Sequence, residues 1–515
     1  MTSIALPLAL PANPARSRAL ARQIAIALLI AGALFGRLCY LAKPFDHDAR
    51  LFIYLGKLVC DGGRFSHDII DNKFPTVGMM TSVAWKAMGL HWPAYVLAQT
   101  VMAIGAALLL GRMTRRHFGP SAGTATTLFA LVFLNFSVAV FGGFQLETMQ
   151  AFFAVLAAGT ALEVLCAERD VHDVRDAFIV GLSAGCAMMF KPTGGAVLGA
   201  FAVATIARFA RSPRSILKLA LSAACGLALP ALLTLLYLIR TDTLRDMPDL
   251  YRQIAKYASD TPVTALDLLK PVVVVLMLGF PMLIRGRVHR GDRIVPTGAQ
   301  TREALVFALA WFALELIGAV AQRRMCGYHF LPLAPPAALL YGMIPRRDRL
   351  APILAGLFPI VFLSSLGAVR VIDEFYPTAR SRLPASDYLI AHTNPNDAIW
   401  ADSMARLLLE TNLRPGSRIP LTYLFFNCDD APRQYSQIML RDFEFRRPRY
   451  ILLPQNLEAW LDEKDHKASA EPGYAVRRAN YRAAWRSIFD YVQAHYAPEV
   501  HIDGETLLRR NDSFR

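Results

Sequence analysis

The chain has 515 residues, of which 54% are hydrophobic and only 18% charged, with a mean hydropathy of +0.34, whereas a soluble globular domain carries about 25% charged residues. This excludes a disordered chain, a disulfide-stapled secreted mini-domain and an ordinary cytosolic enzyme, because repeated apolar runs of about 20 residues can be hidden only in a bilayer. The formal charge of +15 is spread through short connections between those runs, which fits loops facing the cytoplasm and not a basic module for nucleic acid.

The first apolar run, Gln23 to Ala42, follows Arg16, Arg18 and Arg22. It is longer than the core of a signal peptide and more runs follow, so it reads as an anchor with its N-terminus inside. Further runs are Pro93 to Gly111, Ser121 to Phe141, Glu147 to Cys166, Ala177 to Phe190, Thr193 to Ala207, Leu219 to Leu238, Pro271 to Ile284, Glu303 to Ala321, Phe330 to Ile344 and Leu350 to Val369. With the first, they predict about eleven spans. The seven cysteines are scattered without a CxxC pair, so they form neither a disulfide framework nor a zinc site.

Pro75 to Leu90 decides the topology. As a helix it reaches only about 24 Å, short of a core of roughly 30 Å. If it lies in the interface, the clusters around Arg112, Arg169, Arg208, Arg285 and Arg346 all fall inside; if it spans, all of them flip outside. The positive-inside rule favours the first arrangement, with the N-terminus in the cytoplasm and residues 371–515 outside.

The outer connections then carry the polar motifs. In the first, Asp46, His47 and Asp48 precede Leu51, Phe52, Leu55, Leu58 and Val59 at helical spacing, with Arg50, Tyr54, Lys57 and Asp61 off the stripe. This pattern predicts an amphipathic helix on the membrane surface, for which Asp46 or Asp48 could serve merely as N-cap. Asp68, Asp71, Asn72 and Lys73 follow, more ionisable groups than a simple crossing near lipid requires. Glu147 opens a span where the helix dipole suits it, and Lys191 ends a run of only 14 residues, which recesses it. Arg323 and Arg324, before Tyr328 and His329, run against the charge rule and could snorkel to lipid phosphate. Glu315, mid-span, reads as internally paired. Carboxylates, cations and a histidine beside interfacial helices suit a phosphate whose lipid tail stays in the bilayer, and a carboxylate can take a proton from an attacking hydroxyl.

Phe45-Asp46-His47-Asp48 followed by Tyr54-Leu55-Gly56-Lys57-Leu58 and Gly62, then Asp71-Asn72-Lys73-Phe74-Pro75, resembles the first outer loop of polyprenyl-phosphate-sugar-dependent glycosyltransferases of the GT-C fold. These include protein O-mannosyltransferases, lipid A aminoarabinose transferases and lipopolysaccharide core transferases. The resemblance runs over roughly residues 20 to 370 and is most specific in this loop. It implies inverting transfer to an envelope glycolipid, polysaccharide or protein at the outer face of a bacterial inner membrane. Spacing from Gly56 matches Asp48 to the catalytic aspartate; Lys73, Lys191 and Arg324 would surround the phosphate, and Asp46, Glu147, Tyr328 and His329 would join the substrate site. The family's second acidic residue is Ala49 here, which leaves a divalent metal open, and its Lys-Pro-Pro is Lys73-Phe74-Pro75.

From about residue 371 the composition turns soluble. Strands at 397–401 and 449–453, helices at 403–413 and 481–495, and a strand or hairpin at 499–508 predict a small α/β domain without a glycine-rich phosphate loop. The rival reading, a lipid-linked saccharide flippase, would favour equivalent halves, and no repeat relates the halves of this chain.

Overall fold

The computed structural model describes all residues except 1–13, 43–46, 72, 141–142, 167–172, 260–262, 264, 288–298, 324, 345–349, 376–381, 403, 421–424, 426–429, 457–460, 462–473 and 512–515. The membrane part runs α1 (Pro14–Leu38), α2 (His47–Cys60), α3 (Pro75–Met88), α4 (Trp92–Phe118), α5 (Pro120–Leu134), α6 (Leu146–Cys166), α7 (Asp173–Phe190), α8 (Ala196–Arg208), α9 (Pro213–Arg240), α10 (Met247–Ser259), α11 (Ala265–Arg287), α12 (Ala299–Ala321), α13 (Ala334–Met343) and α14 (Leu350–Phe375).

Each of the eleven expected apolar runs overlaps a helix, although the run from Ser121 to Phe141 extends past the end of α5 at Leu134, and its last residue lies outside the described residues. Among the described residues seven helices are long and apolar enough to cross a membrane: α1, α4, α6, α9, α11, α12 and α14. The other four, α5, α7, α8 and α13, have 15, 18, 13 and 10 residues. The short α8 and α13 are each prefaced by a 3-10 segment, Pro192–Gly195 and Gly327–Leu333, which lengthens the helical stretch. Helices meet closely where glycine removes the side chain. A Cβ on Gly181 of α7 would stand 1.9 Å from the Ala223 carbonyl oxygen of α9, and one on Gly226 of α9 would stand 2.0 Å from that of Phe178.

The first connection folds as two short helices, α2 and α3, in contact with each other. The expected surface helix differs in one respect: Tyr54, placed off the apolar stripe, is buried, as are all residues from Leu51 to Leu55. The cause is tertiary, since α3 packs on one side of α2 and α16 (Ala405–Thr411) of the C-terminal domain on another.

That domain also contains α15 (Pro384–His392), α17 (Ala431–Arg446) and α18 (Tyr474–His495). Its strands are β1 (Ala398–Ala401), β2 (Arg414–Pro415), β3 (Tyr450–Pro454), β4 (Tyr496–Ile502) and β5 (Glu505–Arg510), in the order β2-β1-β3-β5-β4. β1 pairs parallel with β2 and β3, while β5 pairs antiparallel with β3 and with β4 as a hairpin. Trp400 of β1, Phe443 of α17 and Trp485 of α18 fill its core. Besides the packing of α16 on α2, hydrogen bonds among the described residues join the domain to the membrane part. The Ile70 amide donates to the Arg418 carbonyl at 2.6 Å, Arg446 Nη2 to the His67 carbonyl at 3.1 Å, and the Tyr435 hydroxyl to Gln253 Oε1 of α10 at 3.0 Å.

Candidate active site

A cavity of about 350 Å³ opens where α2, α3, α6, α7, α10 and α12 converge. Asp48, Lys73, Glu147, Lys191, Tyr328 and His329 all line it, so six of the eight residues expected at the site meet in one place. Asp46 and Arg324 lie outside the described residues.

Asp48 stands in the first turn of α2, where unsatisfied backbone N–H groups favour a negative charge. The Tyr328 hydroxyl donates to Asp48 Oδ2 at 3.2 Å. Burial, reinforced by the Asp48 carboxylate, raises the Tyr328 hydroxyl well above the usual phenol range, so it remains a donor and fixes the carboxylate's orientation. Lys73 is set by the turn before α3, in which its backbone amide donates to the buried Asp71 Oδ1 at 2.9 Å. Its ammonium lies 6.0 Å from the Phe52 ring centroid.

Glu147 and Lys191 face each other from the first turn of α6 and the end of α7, positions at which the two helix dipoles favour their respective charges. They form an ion pair, with Glu147 buried and Lys191 part-exposed to the cavity. Lys191 Nζ also donates to Gln322 Oε1 at 2.8 Å and sits 5.7 Å from the Tyr328 ring centroid. A chain of contacts thus runs from Asp48 through Tyr328 to Lys191, Glu147 and Gln322. His329 stands edge-on to Tyr328, with ring centroids 4.6 Å apart.

Sequence reasoning assigned no place in the site to Gln145, Gln322, Thr193, Phe52 or Phe74, all of which line the cavity. It also missed Ile254, which α10 contributes as a cover, with Tyr251 packed on Phe74 at 5.4 Å between centroids. The helical spacing of Met247, Leu250 and Ile254 signals a buried face, which packs α10 on Leu238 and Tyr237 of α9 and leaves Ile254 at the cavity. Glu315, expected to be internally paired, accepts from Trp311 Nε1 at 3.2 Å.

Among the described residues no group of three or more His, Cys, Asp or Glu could hold a metal ion. Asp48 and Glu147 are the described carboxylates of the cavity, and the second is bound to Lys191, so this donor set does not fit a divalent cation.

A family model described as a family of unknown function (DUF6427) matches residues 83–293, less than half of the chain. No curated protein sequence matches the chain. The structure is similar to that of ArnT from Cupriavidus metallidurans bound to undecaprenyl phosphate, with a TM-score of 0.57, 13% identity, and 97% of this chain and 99% of that one covered. For ArnT in the apo state the TM-score is 0.53 at 13% identity, with 96% and 98% covered. The archaeal oligosaccharyltransferase AglB from Archaeoglobus fulgidus gives a TM-score of 0.46 at 13% identity, with 84% of this chain and 69% of that one covered. At such identity the likeness to ArnT is one of architecture, and over nearly its whole length this chain has the GT-C fold.

Proposed function

We propose that the chain is an inverting glycosyltransferase that moves a sugar from a polyprenyl-phosphate donor to a glycolipid, polysaccharide or protein acceptor at the outer face of the inner membrane. The observation that carries the reading is the convergence of Asp48, Tyr328, Lys73 and Lys191 on one cavity in a chain with this fold. The undecaprenyl phosphate bound to ArnT supports the same class of donor here.

In the proposed reaction the lipid tail remains in the bilayer and the phosphate lies against the ammonium groups of Lys73 and Lys191. The acceptor oxygen attacks the anomeric carbon from the face opposite the phosphate. Its proton passes to Asp48, and the bond from the anomeric carbon to the phosphate oxygen breaks with its electron pair on the phosphate. The products are the glycosylated acceptor, with inverted configuration, and the polyprenyl phosphate. Tyr328 keeps the Asp48 carboxylate aimed, and the α10 cover limits competing water.

The test is transfer by purified protein in lipid nanodiscs. A labelled polyprenyl-phosphate sugar should be consumed, and a nucleotide sugar offered without lipid donor should not. Direct transfer from the nucleotide sugar would overturn the reading.

A further inference from the structure

Arg37 lies within the first apolar run and is completely buried at the end of α1. Its Nε donates to Asn135 Oδ1 at 2.9 Å and its Nη1 to Gln99 Oε1 at 3.1 Å. Its Nη2 donates to the Leu134 carbonyl and to Thr148 Oγ1, the latter at 3.1 Å. All four acceptors are neutral. Holding helices together does not require a charge, and a guanidinium in a span paired only with dipoles is an expensive fastener. Two of its partners lead to the cavity.

Gln99, buried in α4, is the first link. While its Oε1 takes the Arg37 bond, the same oxygen accepts the Gln145 backbone amide at 3.0 Å, and its Nε2 donates to the Gln145 carbonyl at 2.7 Å. Both backbone groups of Gln145, a cavity residue, are therefore fixed by one side-chain amide that Arg37 orients. A planar amide meeting both an N–H and a C=O allows a single orientation, and the guanidinium on its oxygen excludes the flipped one. The second link is Thr148, which follows Glu147 in the first turn of α6.

We propose that Arg37 is a positioning residue for the cavity: through Gln99 and Thr148 it fixes the segment from Gln145 to Thr148, so that Glu147 presents Lys191 to the donor phosphate. The inference rests on the proposed function for the identity of the donor, while the clamp itself can be measured without any donor.

The test compares two variants of the full chain in nanodiscs, each of which removes one buried acceptor from Arg37. Gln99→Leu cuts the path to Gln145; Asn135→Leu cuts an equivalent bond to the end of α5, which does not reach the cavity. Backbone hydrogen exchange over 143–150 and the affinity for polyprenyl phosphate without sugar are read for both, with thermal unfolding to confirm assembly. Gln99→Leu should speed exchange in that segment and weaken binding by about tenfold, the scale of losing one hydrogen bond to a charged group. Asn135→Leu should lower thermal stability comparably and leave exchange over 143–150 and affinity unchanged. If both variants, or neither, alter exchange in the segment, Arg37 only joins helices and the inference fails. If Gln99→Leu alone alters exchange but wild type binds no polyprenyl phosphate, the clamp stands and the donor assignment falls. If Gln99→Leu alters exchange while wild-type affinity persists, the positioning role is refuted.

Discussion

Replacing Asp48 with Asn separates the two things a carboxylate in the first turn of α2 can do. As a favourable charge at a helix N-terminus it contributes about 0.3–1 kcal/mol to stability, none of which lowers the turnover of molecules that remain folded. As the base in the transfer it contributes about 10²–10⁴ in rate, equivalent to about 2.7–5.4 kcal/mol of barrier. The structure makes the substitution clean, because Asn keeps the shape and retains an oxygen to accept from the Tyr328 hydroxyl now 3.2 Å from Asp48. The assay is the initial rate of transfer from a saturating polyprenyl-phosphate sugar, beside thermal unfolding and donor affinity. Asp48→Asn should lose at least a hundredfold in kcat with affinity and unfolding nearly unchanged. Asp46→Asn should lose much less, and Tyr328→Phe about tenfold, the lower end of the scale for one hydrogen bond to a charged group. A folded Asp48→Asn protein that keeps a tenth or more of the wild-type kcat, or an inactive Asp46→Asn protein that folds normally, refutes the assignment of the base.

Lys73→Ala and Lys191→Ala should each raise KM for the donor, and Lys191→Ala should also lower thermal stability, because it leaves the buried Glu147 carboxylate without its ion pair, a loss of about 3–5 kcal/mol at fully buried sites; steady-state kinetics and unfolding midpoints check both. Gly56→Ala should destabilise the pair of α2 and α3 by about 1–3 kcal/mol, since its Cβ would stand 2.5 Å from the Thr81 carbonyl oxygen and backbone cannot give way; a protein with unchanged unfolding contradicts this. In the C-terminal domain, burial raises the Glu499 carboxyl, but hydrogen bonds from Tyr388 and Tyr450 and the nearby Arg509 outweigh it and lower the net value. This contribution to stability is present above the ordinary glutamate pKa of about 4.3 and is lost as pH falls through the lower folded value; Glu499→Gln should flatten that part of the curve of unfolding midpoint against pH. Reporter fusions after Gly119 and Pro213 should register cytoplasm and those after His67 and at the C-terminus the opposite compartment, and the reverse pattern overturns the orientation.

The spans were legible because an apolar run of some twenty residues has few alternatives to a membrane helix; Glu147 and Lys191 stood out as charges at span ends, and Asp48 and Lys73 through the crowded charges of the first loop and its resemblance to GT-C enzymes. Gln145 and Gln322 carry no charge, so nothing in their local sequence separates a cavity wall from an ordinary helix end. Arg37 is close to the end of its run, where a flanking cation draws no notice; only the fold shows that its head turns inward to Gln99 and Thr148. Tyr54 was misplaced for another reason. A periodic stripe reveals one buried face, and here a second face is covered by α16, some 350 residues further along the chain. β1 and β3 were readable as short buried runs, whereas β2, with two residues, exists only as a pairing with β1.

The grip of the last domain on the first loop sets a timetable for the protein's own synthesis. Arg446 holds the His67 carbonyl across 379 residues of chain, a stretch that a ribosome takes roughly 20 to 75 s to make. Throughout that interval α2 has been made and carries Asp48, but the surface that α16 will cover is bare. A chain that stops short of α16 therefore leaves that face of α2 uncovered. On the proposed function, transfer should appear only once the final domain has docked on α2.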